Sequence, residues 1–228
     1  MISRHVDSMV LMGSSFIEDR EAENQYLREA AESVPIVLLN GYYNADGIYC
    51  VFCDDEKAMY DATKCLIDQG KKQILYLHHS MNNSGKRKLN GYRNALLDSG
   101  IELDEQRILL VDKDRQTIPH VCQLLKELAK SGVTFDAVLA SEDILAVAAI
   151  KYATEAGVKI PDDMALIGYN NSIMCLCTNP ELSSVDNKLL SICQMIVQTV
   201  INVLDGQKTD AAHAFEAELI LRETTADK

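Results

Sequence analysis

The sequence predicts an α/β fold with parallel sheets. Three observations carry this. Short apolar runs alternate almost throughout with stretches of helical period. Phe135 to Asn171 reads as one complete strand, helix, turn and strand, the parallel crossover of α/β proteins. Its polar residues gather where the two strands end, at Ser141-Glu142-Asp143 and Tyr169-Asn170-Asn171. Beyond the carboxyl ends of strands is where such folds bind ligands.

The elements follow in order. Met9 to Met12 is a buried strand ending in Gly13-Ser14-Ser15. Residues 19–32 are polar and helix-favouring, with Tyr26 and Leu27 as the main apolar contacts. Val34 to Leu39 is a second strand closed by an Asn40-Gly41 turn, and Ile48 to Cys53 a third. Asp54-Asp55 opens a helix with Ala58, Met59, Ala62, Cys65 and Leu66 on one face, and Gly70 closes it. Gln73 to Leu77 is a strand running into a polar loop, His78 to Gly85. The next helix carries Leu89, Tyr92 and Leu96 in one stripe, and Arg107 to Val111 follows as a strand. Thr117-Ile118-Pro119 starts a helix with Pro in its first turn, where Pro is tolerated.

Within the crossover, Ala137 to Ala140 is short enough for a buried strand. The helix after it carries Leu145, Ala149 and Tyr152, and Gly157 and Pro161 stop it. Met164 to Ile167 is the next strand, broken at Gly168. Residues 172–181 form a loop, Leu182 to Val185 a short strand, Leu189 to Leu204 an apolar helix, and Phe215 to Leu221 one last strand.

The 228 residues suffice for one large domain or two small ones. A net charge of −12 argues against a chain that grips phosphate backbones by itself. No apolar run approaches the roughly 20 residues that span a bilayer, and the apolar core near the N-terminus is too short for a signal peptide. The seven cysteines lie mostly in apolar patterns, which reads as buried, reduced thiols in a cytoplasmic protein.

Candidate chemistry is sparse. Cys50 and Cys53 have C-x-x-C spacing but lie inside a strand pattern, whereas the redox form begins a helix. Cys175 and Cys177 lie in a loop without a nearby His to complete a metal set. His78-His79-Ser80 follows a strand, but no G-x-S-x-G elbow surrounds any serine, so a polar cleft edge is the better reading than a triad. Ser84 to Lys88 sits at a helix start, where free N–H groups attract anions or hydroxyl-rich ligands; a solvated basic helix start fits the spacing equally. Ser141-Glu142-Asp143 reads either as a helix cap or as part of a site. The residues indicate no catalytic set, no metal and no cofactor.

On particular stretches the chain resembles the effector-binding core of the LacI/GalR family of transcription regulators. HVDSMVLMG is similar to the family's "vDGiil.g", VPIVLLN to "iPvV.id", and KRKLNGYRNALLDSGI to "R..Gy..al...gi". FDAVLASEDILAVAAIKYATEAGVKIPDDMALIGYNN resembles "daif..nD..A.ga..al...g..iPdDi.viGyDn", and ELILRETT the closing "Li.R.St". These landmarks run in family order from about Val6 to Thr225.

The resemblance implies a type I periplasmic-binding-protein-like architecture of two α/β subdomains around a ligand cleft. Residues 1–53 and 187–217 would form the N-terminal subdomain, and residues 54–186 and 218–228 the C-terminal one. The family's ligand-lining positions fall on Ser84, Lys88, Glu142 and Asn170, with Leu189 opposite and Tyr43 as an addition. The family often has Arg at Lys88, Asn at Glu142 and Asp at Asn170, so a carboxylate changes place rather than disappearing. The implied protein is a non-enzymatic, homodimeric sensor of a small polar effector such as a sugar. It would reach DNA only through a helix-turn-helix not matched in this sequence. The family's first two strand–helix units are likewise unmatched, so the N-terminal subdomain is expected to be incomplete. Two other readings share these features: a solute-binding protein of a transporter, and a dimerisation remnant without a ligand.

Overall fold

The computed structural model describes residues 6–18 and 20–226, with Lys113 described by its backbone only. His5 of the first family-like stretch, Asp19 of the expected first helix, and the expected domain ends at residues 1–5 and 227–228 lie outside the described residues.

In chain order the elements are β1 (Met9–Met12), α1 (Gln25–Ala31), β2 (Ile36–Leu39), β3 (Ile48–Cys53), α2 (Asp55–Asp68), β4 (Ile74–His78), α3 (Asn83–Asp98) and β5 (Ile108–Leu110). They continue with α4 (Ile118–Lys130), β6 (Ala137–Ala140), α5 (Asp143–Ala156), β7 (Ala165–Tyr169), β8 (Ser183–Asp186), α6 (Leu189–Leu204), β9 (Ala212–Phe215) and β10 (Glu218–Ile220). Two compact units result: residues 1–54, 82–84 and 188–216, and residues 55–81, 85–187 and 217–228.

The first unit is built on a parallel sheet in the order β1-β2-β3-β9. Leu27 of α1 packs with Ile36, Leu38, Tyr43, Ile48 and Cys50 on one face. α6 packs on β2 and β3 and buries Ile192, Ile196 and Thr199. The helix expected over 19–32 forms as α only from Gln25, after a 3-10 turn at Glu21–Asn24. The cause is Asn24, whose buried amide accepts from the Glu18 N–H and donates to the Glu18 and Arg20 carbonyls. A side chain that satisfies nearby backbone competes with the helix ladder.

The second unit has a six-stranded sheet in the order β10-β8-β7-β6-β4-β5, parallel except for β10 against β8. Strand alternation sends Leu75, Leu77, Val138 and Ala140 to the face covered by α4 and α5, and Ile74, Tyr76, Ala137 and Leu139 to the face covered by α2 and α3. Each large aliphatic buried here contributes about 1.5–3 kcal/mol of transfer free energy. On the second face α3 crosses α2 at Gly91, where a Cβ would stand 2.1 Å from the Glu56 carbonyl oxygen. Only glycine permits that approach.

Two expected boundaries change. Gly168 lies inside β7 rather than ending it, because a Cβ there would meet Asp143 Oδ1 at 2.4 Å; the strand keeps its pairing and gives up only a side chain. Of the expected last strand, Phe215 to Leu221, Phe215 ends β9 and Glu218–Ile220 form β10, and β9 and β10 belong to different sheets. Between them Ala217 packs into the second unit's core. Relative to the expected subdomains, Asp54 and residues 82–84 fall in the first unit, the Asp54 N–H donating to Phe215 O, while Asn187 and Ala217 fall in the second, the Asn187 amide bonded to Asn170. No helix among the described residues is long and apolar enough to cross a membrane.

Candidate functional site

In the second unit the carboxyl ends of β4, β6, β7 and β8 deliver His78-His79, Ser141-Glu142, Asn170-Asn171 and Asn187. What fixes this end of the sheet is Asp143, the first residue of α5. It is buried, accepting from the Ser184 hydroxyl (2.6 Å) and from the Ser172 N–H (2.7 Å). Gly168 leaves the space it occupies. Asp143 therefore ties α5 to β8 and to the turn after β7. It also acts on Cys175: burial first, then the Asp143 charge and hydrogen bond, push that thiol up to about 11.

The turn after β7 is backbone-strained. Asn170 and Asn171 both have positive φ (101° and 47°), a region that Asn enters more readily than most residues. Three bonds hold it there. The Asn170 N–H donates to Val185 O, the Asn171 N–H to the Ser184 hydroxyl, and Arg222 donates to Asn171 Oδ1 at 2.7 Å. The exposed Asn170 side chain is engaged by buried Asn187, whose Nδ2 donates to Asn170 Oδ1 at 3.0 Å.

Lys88, in the second turn of α3, reaches the same end. Its Nζ stands 3.5 Å from the centre of the Tyr169 ring and donates to Ser141 O at 3.3 Å. A cation over an aromatic face gains about 0.5–2 kcal/mol. The ring is itself fixed, because the Tyr169 hydroxyl donates to buried Asp55 at 2.5 Å. Glu142 does not cap α5 with its side chain; its Oε1 lies 3.3 Å from His79 Nε2. His78 turns the other way, buried and stacked on Tyr76, and its burial holds its pKa below the ordinary histidine value. The two histidines thus face different surroundings, as adjacent strand-end residues do.

Three buried polar atoms at this end have no hydrogen-bond partner among the described residues: Ser141 Oγ, His79 Nδ1 and Asn187 Oδ1. Buried polar atoms are nearly always satisfied, so a cluster without partners marks a place where a ligand or water completes the bonding. Among the described residues no group of three His, Cys, Asp or Glu side chains is placed to hold a metal.

The remaining expected residues group with the first unit. Ser84 is half-buried in the first turn of α3. Leu189 begins α6 and is half exposed. Tyr43 is buried in that unit's core, its hydroxyl donating to Glu21 at 3.0 Å. The structure thus brings Lys88, Glu142 and Asn170 to one end of one sheet. Sequence reasoning had no role for Tyr169 as a platform, Asp55 as its anchor, Asp143 as the tie or Asn187 as the partner of Asn170. For Asp143 the detectable signal was Gly168, a glycine in a strand pattern where another chain segment comes close.

Parallel α/β units with a charged and amide-lined strand end belong to the class of α/β folds whose ligands lie beyond the carboxyl ends of strands. Residues 63–225 match the periplasmic binding protein-like domain family. An HTH-type transcriptional regulator of Lachnoclostridium phytofermentans is 42% identical over 225 residues, 99% of this chain and 67% of that protein. The HTH-type transcriptional regulator AscG of Escherichia coli is 31% identical over 195 residues, 85% of this chain and 57% of AscG. A solved structure of a sugar-binding transcriptional regulator of the LacI family from Escherichia coli, complexed with phosphate, superposes with a TM-score of 0.83 at 27% identity, over 98% of this chain and 78% of that one. The chain belongs to the periplasmic binding protein-like domain family, in the form carried by LacI-type regulators. It spans 67% and 57% of the lengths of these two curated relatives.

Proposed function

We propose that this chain is the effector-sensing core of a LacI-type transcription regulator and not an enzyme. A small polar molecule, a sugar or a related metabolite, binds at the carboxyl ends of β4, β6 and β7. Lys88 supplies the cation, Glu142 the carboxylate, and Asn170 the amide. Ser84, Tyr43 and Leu189 are assigned to the same effector's surroundings by the family pattern. The observation that carries this reading is the meeting of Lys88, Glu142 and Asn170 on supports that hold them in place, namely Tyr169, His79 and Asn187.

In this reading the N-terminal subdomain comprises residues 1–54, 82–84 and 188–216, and the C-terminal one residues 55–81, 85–187 and 217–228. The protein acts in the cytoplasm as a homodimer. Effector binding alters DNA affinity, with DNA contacted through a helix-turn-helix of the intact regulator. Such control requires the effector to bind two conformations with different affinity.

The test is a thermal-shift screen of sugars, sugar acids and sugar phosphates, followed by titration calorimetry on hits. Lys88→Ala and Asn170→Ala should each weaken a confirmed ligand on the order of tenfold or more, the loss of one charged or polar contact. A screen without hits, or a hit that both variants bind at parent affinity, overturns the assignment.

A further inference from the structure

Asn170 and Asn187 form an amide pair whose polarity decides what Asn170 can offer a ligand. Asn187 is buried and donates its Nδ2–H to Asn170 Oδ1 at 3.0 Å. The Asn170 carbonyl oxygen is thereby committed to the protein. Its Nδ2, on a residue that is exposed, has no partner among the described residues. A carboxamide presents an acceptor and a donor group on opposite sides. With the acceptor turned toward Asn187, the group turned outward is the N–H donor.

The surroundings agree with a donor face. Lys88 brings a positive charge to the same strand ends, held over Tyr169. Lysine is donor-only, and its charge attracts an anion at close range. Of the carboxylates at this end, Asp143 is engaged by Ser184 and Ser172 and Asp55 by the Tyr169 hydroxyl, whereas Glu142 has an oxygen directed at His79 Nε2 and, as an acceptor, takes hydroxyl protons. A ligand suited to all three groups carries an anionic or strongly accepting oxygen group for Lys88 and Asn170, and hydroxyls for Glu142.

We infer that the site of the second unit selects an anionic polyol, a sugar acid or a sugar phosphate, over the corresponding neutral sugar, and that Asn187 sets this selectivity by fixing the orientation of Asn170. The inference rests on the effector-binding reading above. Asn187 is a positioning residue here and Asn170 the contacting one.

The experiment compares matched ligands on the whole chain by thermal shift and calorimetry. Neutral hexoses such as glucose and galactose are set against their aldonates, uronates and 6-phosphates. The carboxylate and phosphate arms distinguish the two anionic chemistries. The expected result is tighter binding of an anionic member than of its neutral partner, on the order of tenfold.

Asn187→Asp replaces the buried donor with an acceptor, so Asn170 must turn its NH2 inward and present oxygen. The anionic-to-neutral ratio should then fall by about tenfold or more. Asn170→Asp, on the exposed side of the pair, should lower the same ratio even where Asn187→Asp folds poorly. Neutral sugars binding as tightly as their acids and phosphates would overturn the selectivity and leave the effector-binding reading standing. A ratio unchanged in folded Asn187→Asp would overturn its positioning role. No shift from any member of either class would overturn both.

Discussion

Replacing Gly91 with Ala tests the packing that carries Lys88. Gly91 lies three residues after Lys88 on α3, where that helix crosses α2. A Cβ at Gly91 would stand 2.1 Å from Glu56 O and 2.9 Å from Tyr60 N, both backbone atoms of α2. Neither can rotate away, so the helices must part by about 1 Å to reach even a tight contact. Overpacking of this kind costs about 1–3 kcal/mol, and two backbone neighbours place the cost near the top. The exchange of Gly for Ala in a helix returns about 1 kcal/mol. The net destabilisation is therefore about 2 kcal/mol. For a chain of this size that lowers Tm by about 4–8 °C. Far-UV circular dichroism during heating measures it, with Asn90→Ala on the exposed side of the same turn as a neutral control. A Tm at or above the parent value would mean that helix propensity outweighs the contact, and would refute the close crossing.

Three further outcomes concern the Asp143 network and the cysteines. Asp143→Asn preserves shape but cannot accept from both the Ser172 N–H and the Ser184 hydroxyl, so it should cost about 2 kcal/mol, the worth of one hydrogen bond to a charged group, and lower Tm by several degrees; an unchanged Tm would show that the network contributes nothing. Of the seven cysteines, Cys177 and Cys193 are exposed and the other five buried, so a thiol reagent at pH 8 should label two at once and seven only after denaturation. More than two fast thiols would refute the buried assignment. Cys175 adds a pH dependence whose sign is fixed. Its folded-state value, about 11, lies above its ordinary 9.0, so the native state keeps a proton that the unfolded chain releases. The stability it contributes is full below pH 9 and declines as pH rises from there toward 11. Urea midpoints that rise over that window would contradict it.

The sheet was largely readable because the second unit's strands are buried on both faces. Such strands appear as continuous apolar runs, Ile74 to Leu77 and Ala137 to Ala140 among them, and need no partner to be recognised. The failures occurred where tertiary contacts override local signals. Gly168 looks like a break, yet it is a paired strand residue made small by Asp143 from 25 positions upstream. Phe215 to Leu221 looks like one strand, yet Phe215 ends β9 and Glu218–Ile220 form β10, which serve two sheets, and only the identity of their partners, Cys50 to Cys53 for one and Ser184 to Asp186 for the other, separates them.

The site divides along the same line. That Glu142 and Asn170 would stand at the carboxyl edge of the sheet follows from strand order alone, since parallel α/β sheets gather their loops at one end. What each residue does there follows from partners far away in sequence. Glu142 and Asp143 show this most sharply. They are adjacent carboxylates at one helix start, and a sequence rule assigns both to capping. Asp143 instead turns inward, because Gly168 leaves a space lined by the Ser184 hydroxyl and the Ser172 N–H. With that inner position filled, Glu142 projects toward His79. Asn170 depends in the same way on Asn187, which stands at the end of a different strand. The family position marks where a ligand is met; the chemistry offered to that ligand is set by which buried partner takes the other side of each side chain. A residue exchange at such a position is therefore interpretable only together with its partner, and Asn170→Asp and Asn187→Asp should shift selectivity in the same direction because each leaves position 170 presenting an acceptor outward.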